Sequence, residues 1–98
     1  MMQYIYRENG DAAGFVRGKY IYLMNGAPVG QLNGTRVHTM SGEYVGELYR
    51  DMVVDRNLGN RGNIGNPGNP GNVGSPGNPG NRGSISIGYR DVFNKLGR

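Results

Sequence analysis

Few residues of this chain could do chemistry, and they are widely spaced. His38 is the only histidine, and Glu43, Glu47, Asp51 and Asp55 are the carboxylates close enough in sequence to supply an acid–base pair. Read on strands, these carboxylates take outward or turn positions, and Glu47 is expected to pair with Arg36 across two strands. No two-histidine or clustered-carboxylate spacing suggests a metal. The chain has no cysteine, which excludes thiolate sites and disulfides alike. The glycine-rich stretch 59–83 lacks the Lys-Ser/Thr and the following helix that a phosphate-binding loop requires. The reading is therefore of a non-enzymatic protein with no cofactor, no metal and no small-molecule substrate.

What remains is a surface. Tyr4, Tyr6, Phe15, Tyr20, Tyr22 and His38 alternate along strand-like runs and fall on one side, with Val29 and Val45 among them. A second apolar face on so small a chain points to an interface with a protein partner, another copy or a membrane surface. The formal charge of +4 and the exposed tyrosines beside arginines give an alternative, a single-stranded nucleic-acid binder. The bases are scattered among acids, however, and form no run. No signal peptide and no apolar run of spanning length is present, so a cytoplasmic setting is expected.

The elements that position these residues follow from an internal repeat. A period of 16 aligns "YIYRENGDAAGFVRGK" (4–19), "YIYLMNGAPVGQLNGT" (20–35) and "RVHTMSGEYVGELYRD" (36–51) without a gap. Ile5, Ile21 and Val37 coincide, as do Asn9-Gly10, Asn25-Gly26 and Ser41-Gly42, and then Gly14, Gly30 and Gly46. Each unit reads as a hairpin turned by a two-residue type I′ loop. That register sets Ile21 against Gly30 and Tyr22 against Val29, with Ile5–Gly14 and Val37–Gly46 as counterparts. The aliphatic–glycine face is the interior, the glycines making room around a crowded axis.

A fourth unit begins at "MVVDRN" (52–57), but Leu58 stands where the turn glycine is due. Its second strand is expected at "SISIGYRD" (84–91), pairing Val53 with Gly88. The fold class is thus all-β: a shallow eight-stranded antiparallel meander closed into a pseudo-fourfold barrel, strand eight against strand one. It forms a single domain over 1–98, with repeats at 4–19, 20–35, 36–51 and 52–58 plus 84–91. Residues 59–83 are an insertion in the last hairpin, and 92–98 are a tail, either a short helix or a frayed end. These "NGxxxG" units, above all "GKYIYLMNGAPVGQLNGTRVHTMSGEYVGELYRDMVVD", resemble the bacterial four-fold beta-flower domain. The resemblance implies a bacterial source and a closed form of four like petals, and it carries no activity or site residues.

The insertion has glycine at every third position from Gly59 to Gly83. As one straight polyproline rod it would run about 75 Å, whereas its ends must return to strands about 5 Å apart. Three readings stay open: a flexible loop, folded-back polyproline legs turned at a Pro-Gly step, or collagen-like assembly between chains.

Overall fold

The computed structural model of the chain describes residues 2–56, 59, 62–85 and 88–96. Eight strands form one antiparallel meander in chain order, curled into a half-barrel. They are β1 (Met2–Tyr6), β2 (Ala12–Arg17), β3 (Tyr20–Leu23), β4 (Pro28–Asn33), β5 (Arg36–Thr39), β6 (Tyr44–Tyr49), β7 (Met52–Asp55) and β8 (Arg90–Asp91). A 3-10 turn, Phe93–Lys95, follows at once.

The three complete petals close in the same way, and the turn is not the one expected. Leu23 N–H donates to the Ala27 carbonyl and Gly26 N–H to the Leu23 carbonyl, each at 2.8 Å, and the pattern recurs at Arg7–Asp11 and Thr39–Glu43. The loop therefore has three residues and ends on a left-handed glycine: Gly10 at φ 93°, Gly26 at 90° and Gly42 at 100°. Asn9 and Asn25 stay out of the left-handed region, and each instead accepts, through its side-chain oxygen, the amide two residues on.

A three-residue loop shifts the register by one relative to a two-residue loop. A bulge in each hairpin shifts it back. Ile21 thus faces Gly30 as expected, whereas Tyr22 faces Pro28 rather than Val29. The extra residue, Val29 or Val45, turns inward and joins the core, which removes both valines from the tyrosine-bearing face.

Ile5, Ile21, Val37 and Val53 are fully buried at related positions of the four petals. Opposite the first three stand Gly14, Gly30 and Gly46. A Cβ on Gly14 would lie 3.2 Å from Phe93 Cζ, one on Gly30 3.0 Å from Leu96 Cδ2, and one on Gly46 3.0 Å from Val92 Cγ2. The crowded axis is thus occupied by the C-terminal segment. Val92, Phe93 and Leu96 are buried there as a plug.

The fourth petal departs from the expected register by four residues. Val54 pairs with Asp91 and Asp55 with Arg90, so Val53 meets Val92, whose amide donates to its carbonyl at 3.0 Å. Gly88 is exposed at φ 82° and takes no part. Asn57, Leu58 and Ile87, the expected turn and strand residues, lie outside the described residues. The shift brings the apolar Val92 and Phe93 into the axis while Arg90 stays exposed.

β8 does not complete a ladder with β1; the two remain the ends of the sheet. The ring is joined by individual bonds instead. Tyr6 N–H donates to the Asp51 carbonyl at 2.8 Å; the corresponding carbonyls of Lys19 and Thr35 accept from Leu32 and Leu48. Beside it, the Asp91 carboxylate accepts from Arg7 Nε and from Glu8 N–H, both at 2.8 Å, and from Phe93 N–H at 3.0 Å.

Candidate interaction surface

The pleat sets two rows of side chains across the outer face. Tyr4, Phe15, Tyr22 and Pro28 are successive cross-strand partners on β1 to β4. Tyr20, Gln31, His38 and Tyr44 form the parallel row on β3 to β6. Phe15 and Tyr22 stack with ring centroids 5.4 Å apart, and His38 meets Tyr44 edge-on at 5.6 Å.

This face is not open. The glycine-rich tract runs over it from petal to petal in reverse chain order, as a belt. Ile64 N–H donates to the Gly42 carbonyl at 2.8 Å, Val73 N–H to Gly26 at 2.9 Å, and Arg82 N–H to Gly10 at 3.1 Å. The belt advances nine residues for each 16-residue petal. Between the docking points, Asn66, Asn69 and Asn78 each accept the amide of the glycine two residues on, at 2.8 Å. The glycines that follow (Gly68, Gly71 and Gly80) take positive φ, so the Asn-Pro-Gly triplets are turns. Gly65 and Gly74, next to the docked Ile64 and Val73, do not. The tract is therefore neither a free loop nor a pair of straight legs; it is a jointed strap seated on three petal tips.

Further bonds fasten the belt to the tyrosine rows. Tyr4 Oη donates to the Gly77 carbonyl at 3.1 Å, and Gln31 Nε2 to Gly65 at 3.2 Å. His38 Nε2 lies 3.0 Å from the Gly62 carbonyl, which can only accept, so Nε2 carries the proton. The Arg82 guanidinium sits 4.4 Å from the centroid of the Tyr6 ring and pairs with Asp51. Phe15 and His38 are 1% exposed and Tyr22 is 4% exposed. Those three belong to the belt's seat and are not part of an open surface, while Tyr4, Tyr6 and Tyr20 remain half-exposed.

Glu47 faces Arg36 in the ladder as expected, yet its buried carboxylate turns elsewhere. It accepts from Thr35 Oγ1 at 2.8 Å and from Tyr44 Oη at 2.6 Å. Among the described residues no group of three His, Cys, Asp or Glu side chains could hold a metal ion, and no helix is long and apolar enough to cross a membrane.

Two features of this surface escape a reading by triplets. Ile64, Val73 and Arg82 are the docking residues; of the residues inside the tract that precede a glycine, they and Arg61 are the ones that are not proline, and the three stand nine residues apart. The belt and petals also frame an open groove of about 270 Å³, lined by Lys19, Tyr20, Gln31, Leu32, Asn33, Ile64 and Pro67. On the petal that lacks a described tip, the Arg56 guanidinium lies 4.7 Å from the Tyr49 ring centroid and 5.1 Å from that of Tyr89. Arg50 approaches Tyr49 from 5.7 Å. The hydrogen bond from Arg56 to Tyr89 raises the Arg56 pKa further above its ordinary value.

Comparison with curated proteins and with solved structures finds no match. The family described as "4-fold beta flower protein" matches residues 3–87, nearly all of the petals together with the belt. An eight-stranded antiparallel meander, an aliphatic residue set against glycine in three successive hairpins, and a match of that extent agree: the chain belongs to the four-fold beta-flower family.

Proposed function

We propose that this protein is a non-enzymatic binding or scaffolding module that works in the cytoplasm through the rim where half-exposed tyrosines meet the belt. The observation that carries the reading is the groove beside Tyr20. It has apolar walls from Leu32, Ile64 and Pro67 and polar groups from Lys19 and Asn33, a lining suited to a protein segment or to a second copy. The residues that could otherwise serve catalysis have structural bonds: His38 to Gly62, Glu47 to Thr35 and Tyr44, Asp51 to Arg82. Light scattering across a concentration series, with co-sedimentation on anionic vesicles, tests the reading. Self-association or vesicle binding that Tyr20→Ala weakens supports it; a monomer indifferent to both counts against it.

A second reading rests on a different observation, the Tyr49–Tyr89 pair with Arg50 and Arg56. Aromatic rings interleaved with guanidiniums suit the stacking of unpaired bases. Retention on single-stranded DNA that falls with salt and is lost in Arg56→Ala supports this alternative. Absence of binding at low salt rejects it.

A further inference from the structure

The described residues contain three Asn-Gly steps, and the fold treats them differently. At Asn9-Gly10 and Asn25-Gly26 the glycine amide donates to a carbonyl three residues back, at 2.9 and 2.8 Å. The asparagine oxygen is itself engaged at 3.0 Å, and both glycines are buried under the belt, with Gly83 and Val73 against them. Asn33 ends β4 and pairs with Arg36, and Gly34 is the first residue of the two-residue turn, Gly34-Thr35, that leads into β5. Both residues are exposed, nothing lies within 4 Å of where a Gly34 Cβ would stand, and neither the Gly34 amide nor the Asn33 side chain has a hydrogen-bond partner among the described residues.

We infer that Asn33 is a site of spontaneous covalent modification, the one Asn-Gly step of the three at which this fold permits deamidation. The Gly34 nitrogen gives up its proton to water or hydroxide and attacks Cγ of Asn33. A C–N bond forms, the side-chain nitrogen leaves as ammonia, and a five-membered succinimide results. Water then opens the ring at either carbonyl, leaving aspartate or isoaspartate at position 33. No oxidant and no second protein is needed. Gly34 lacks the Cβ that would crowd the ring, and its amide, the nucleophile, is not held by a hydrogen bond among the described residues. At positions 9 and 25 the same step must first break the turn and lift the belt.

The product matters because of its place. Asn33 lines the groove together with Lys19 and Tyr20, so the reaction puts a carboxylate into a groove that holds a lysine, and the isoaspartate form adds a methylene to the main chain at the end of β4. The chain's positive charge falls by one unit, on the surface the functional proposal uses, although the inference does not depend on that proposal.

The full chain held in mildly alkaline buffer at physiological temperature should accumulate one acidic charge variant. Peptide mapping that separates aspartate from isoaspartate should place it at position 33, converting at least about tenfold faster than positions 9 and 25. In strong urea the three rates should converge, which separates the effect of the fold from that of local sequence. Asn33→Gln should remove the variant. Equal conversion at position 9 or 25 in the folded chain, the same ranking in urea, or a variant that survives Asn33→Gln would overturn the inference.

Discussion

The Val73 amide donates to the Gly26 carbonyl at 2.9 Å, and the Val73 carbonyl in turn occupies the space a Cβ on residue 26 would need. One glycine thus serves two purposes, closing a petal turn at positive φ and admitting the belt against its backbone. Gly18 offers the control, since it is also left-handed, at φ 64°, but faces open space. Gly18→Ala should cost about 1 kcal/mol from backbone strain alone. Gly26→Ala should cost about 2–4 kcal/mol, because it adds the loss of a docking bond and of the cover over Tyr22. Urea midpoints at constant slope check the pair; equal losses would show that the belt contributes nothing at this tip.

Replacing residues 59–83 with Asn-Gly tests the belt as a whole. The petals keep their own ladders, so a cooperative β fold is expected to survive. Phe15, Tyr22 and His38 lose their cover, however, and exposing the two aromatics should cost about 3 kcal/mol or more. The shortened chain should melt earlier and bind a hydrophobic dye that the full chain ignores. Unchanged stability would mean that the belt rests on the petals without holding them.

The part of this architecture legible in the sequence is the part written in repeated positions. Ile5, Ile21, Val37 and the glycines opposite them showed the hairpins and the inner face. The register at Ile21–Gly30 came out right because two deviations cancel: a loop one residue longer and a bulge that absorbs the extra residue. Only the bulged residues then betray the difference, which is why strict alternation puts Val29 and Val45 on the outside while the fold buries them. Closure of the fourth petal was less legible because Val92 stands where repetition calls for glycine, and a plug of Val92, Phe93 and Leu96 has no counterpart in the other units. The belt was hidden by its own strongest signal: glycine at every third position masks the nine-residue spacing of Ile64, Val73 and Arg82. Half of the tyrosine-bearing face, Phe15, Tyr22 and His38, is therefore buried although alternation alone puts it in the open.

Arg50 is the one described non-glycine residue at positive φ, at 58°, in the turn between β6 and β7, where Gly18 and Gly34 stand in the equivalent turns. A left-handed arginine is strained, and the turn holds it while its carbonyl accepts from Gln3 Nε2 at 3.0 Å. Arg50→Gly keeps that carbonyl and relieves the strain. It should raise stability by about 0.5–1 kcal/mol, after allowing for the greater freedom of glycine in the unfolded chain. A lowered urea midpoint would show that the contact of Arg50 with the Tyr49 ring outweighs the backbone term.

Gly30 and Leu96 test whether the C-terminal plug and the glycine-lined axis were shaped to each other. A Cβ on residue 30 would lie 3.0 Å from Leu96 Cδ2 and 3.0 Å from the His38 carbonyl, so Gly30→Ala should destabilise by about 1–3 kcal/mol through overpacking. Leu96→Ala removes the side chain that presses on this position and should cost about 2–4 kcal/mol, a range typical of a truncated core leucine. In the double variant the new methyl enters space that Leu96 has left, while the His38 carbonyl still constrains it. The combined loss should therefore fall short of the sum by about 1 kcal/mol, measured as a coupling energy in a double-mutant cycle. Strict additivity would place the plug and the glycine too far apart to interact. It would leave the His38 carbonyl as the sole reason for glycine at this position.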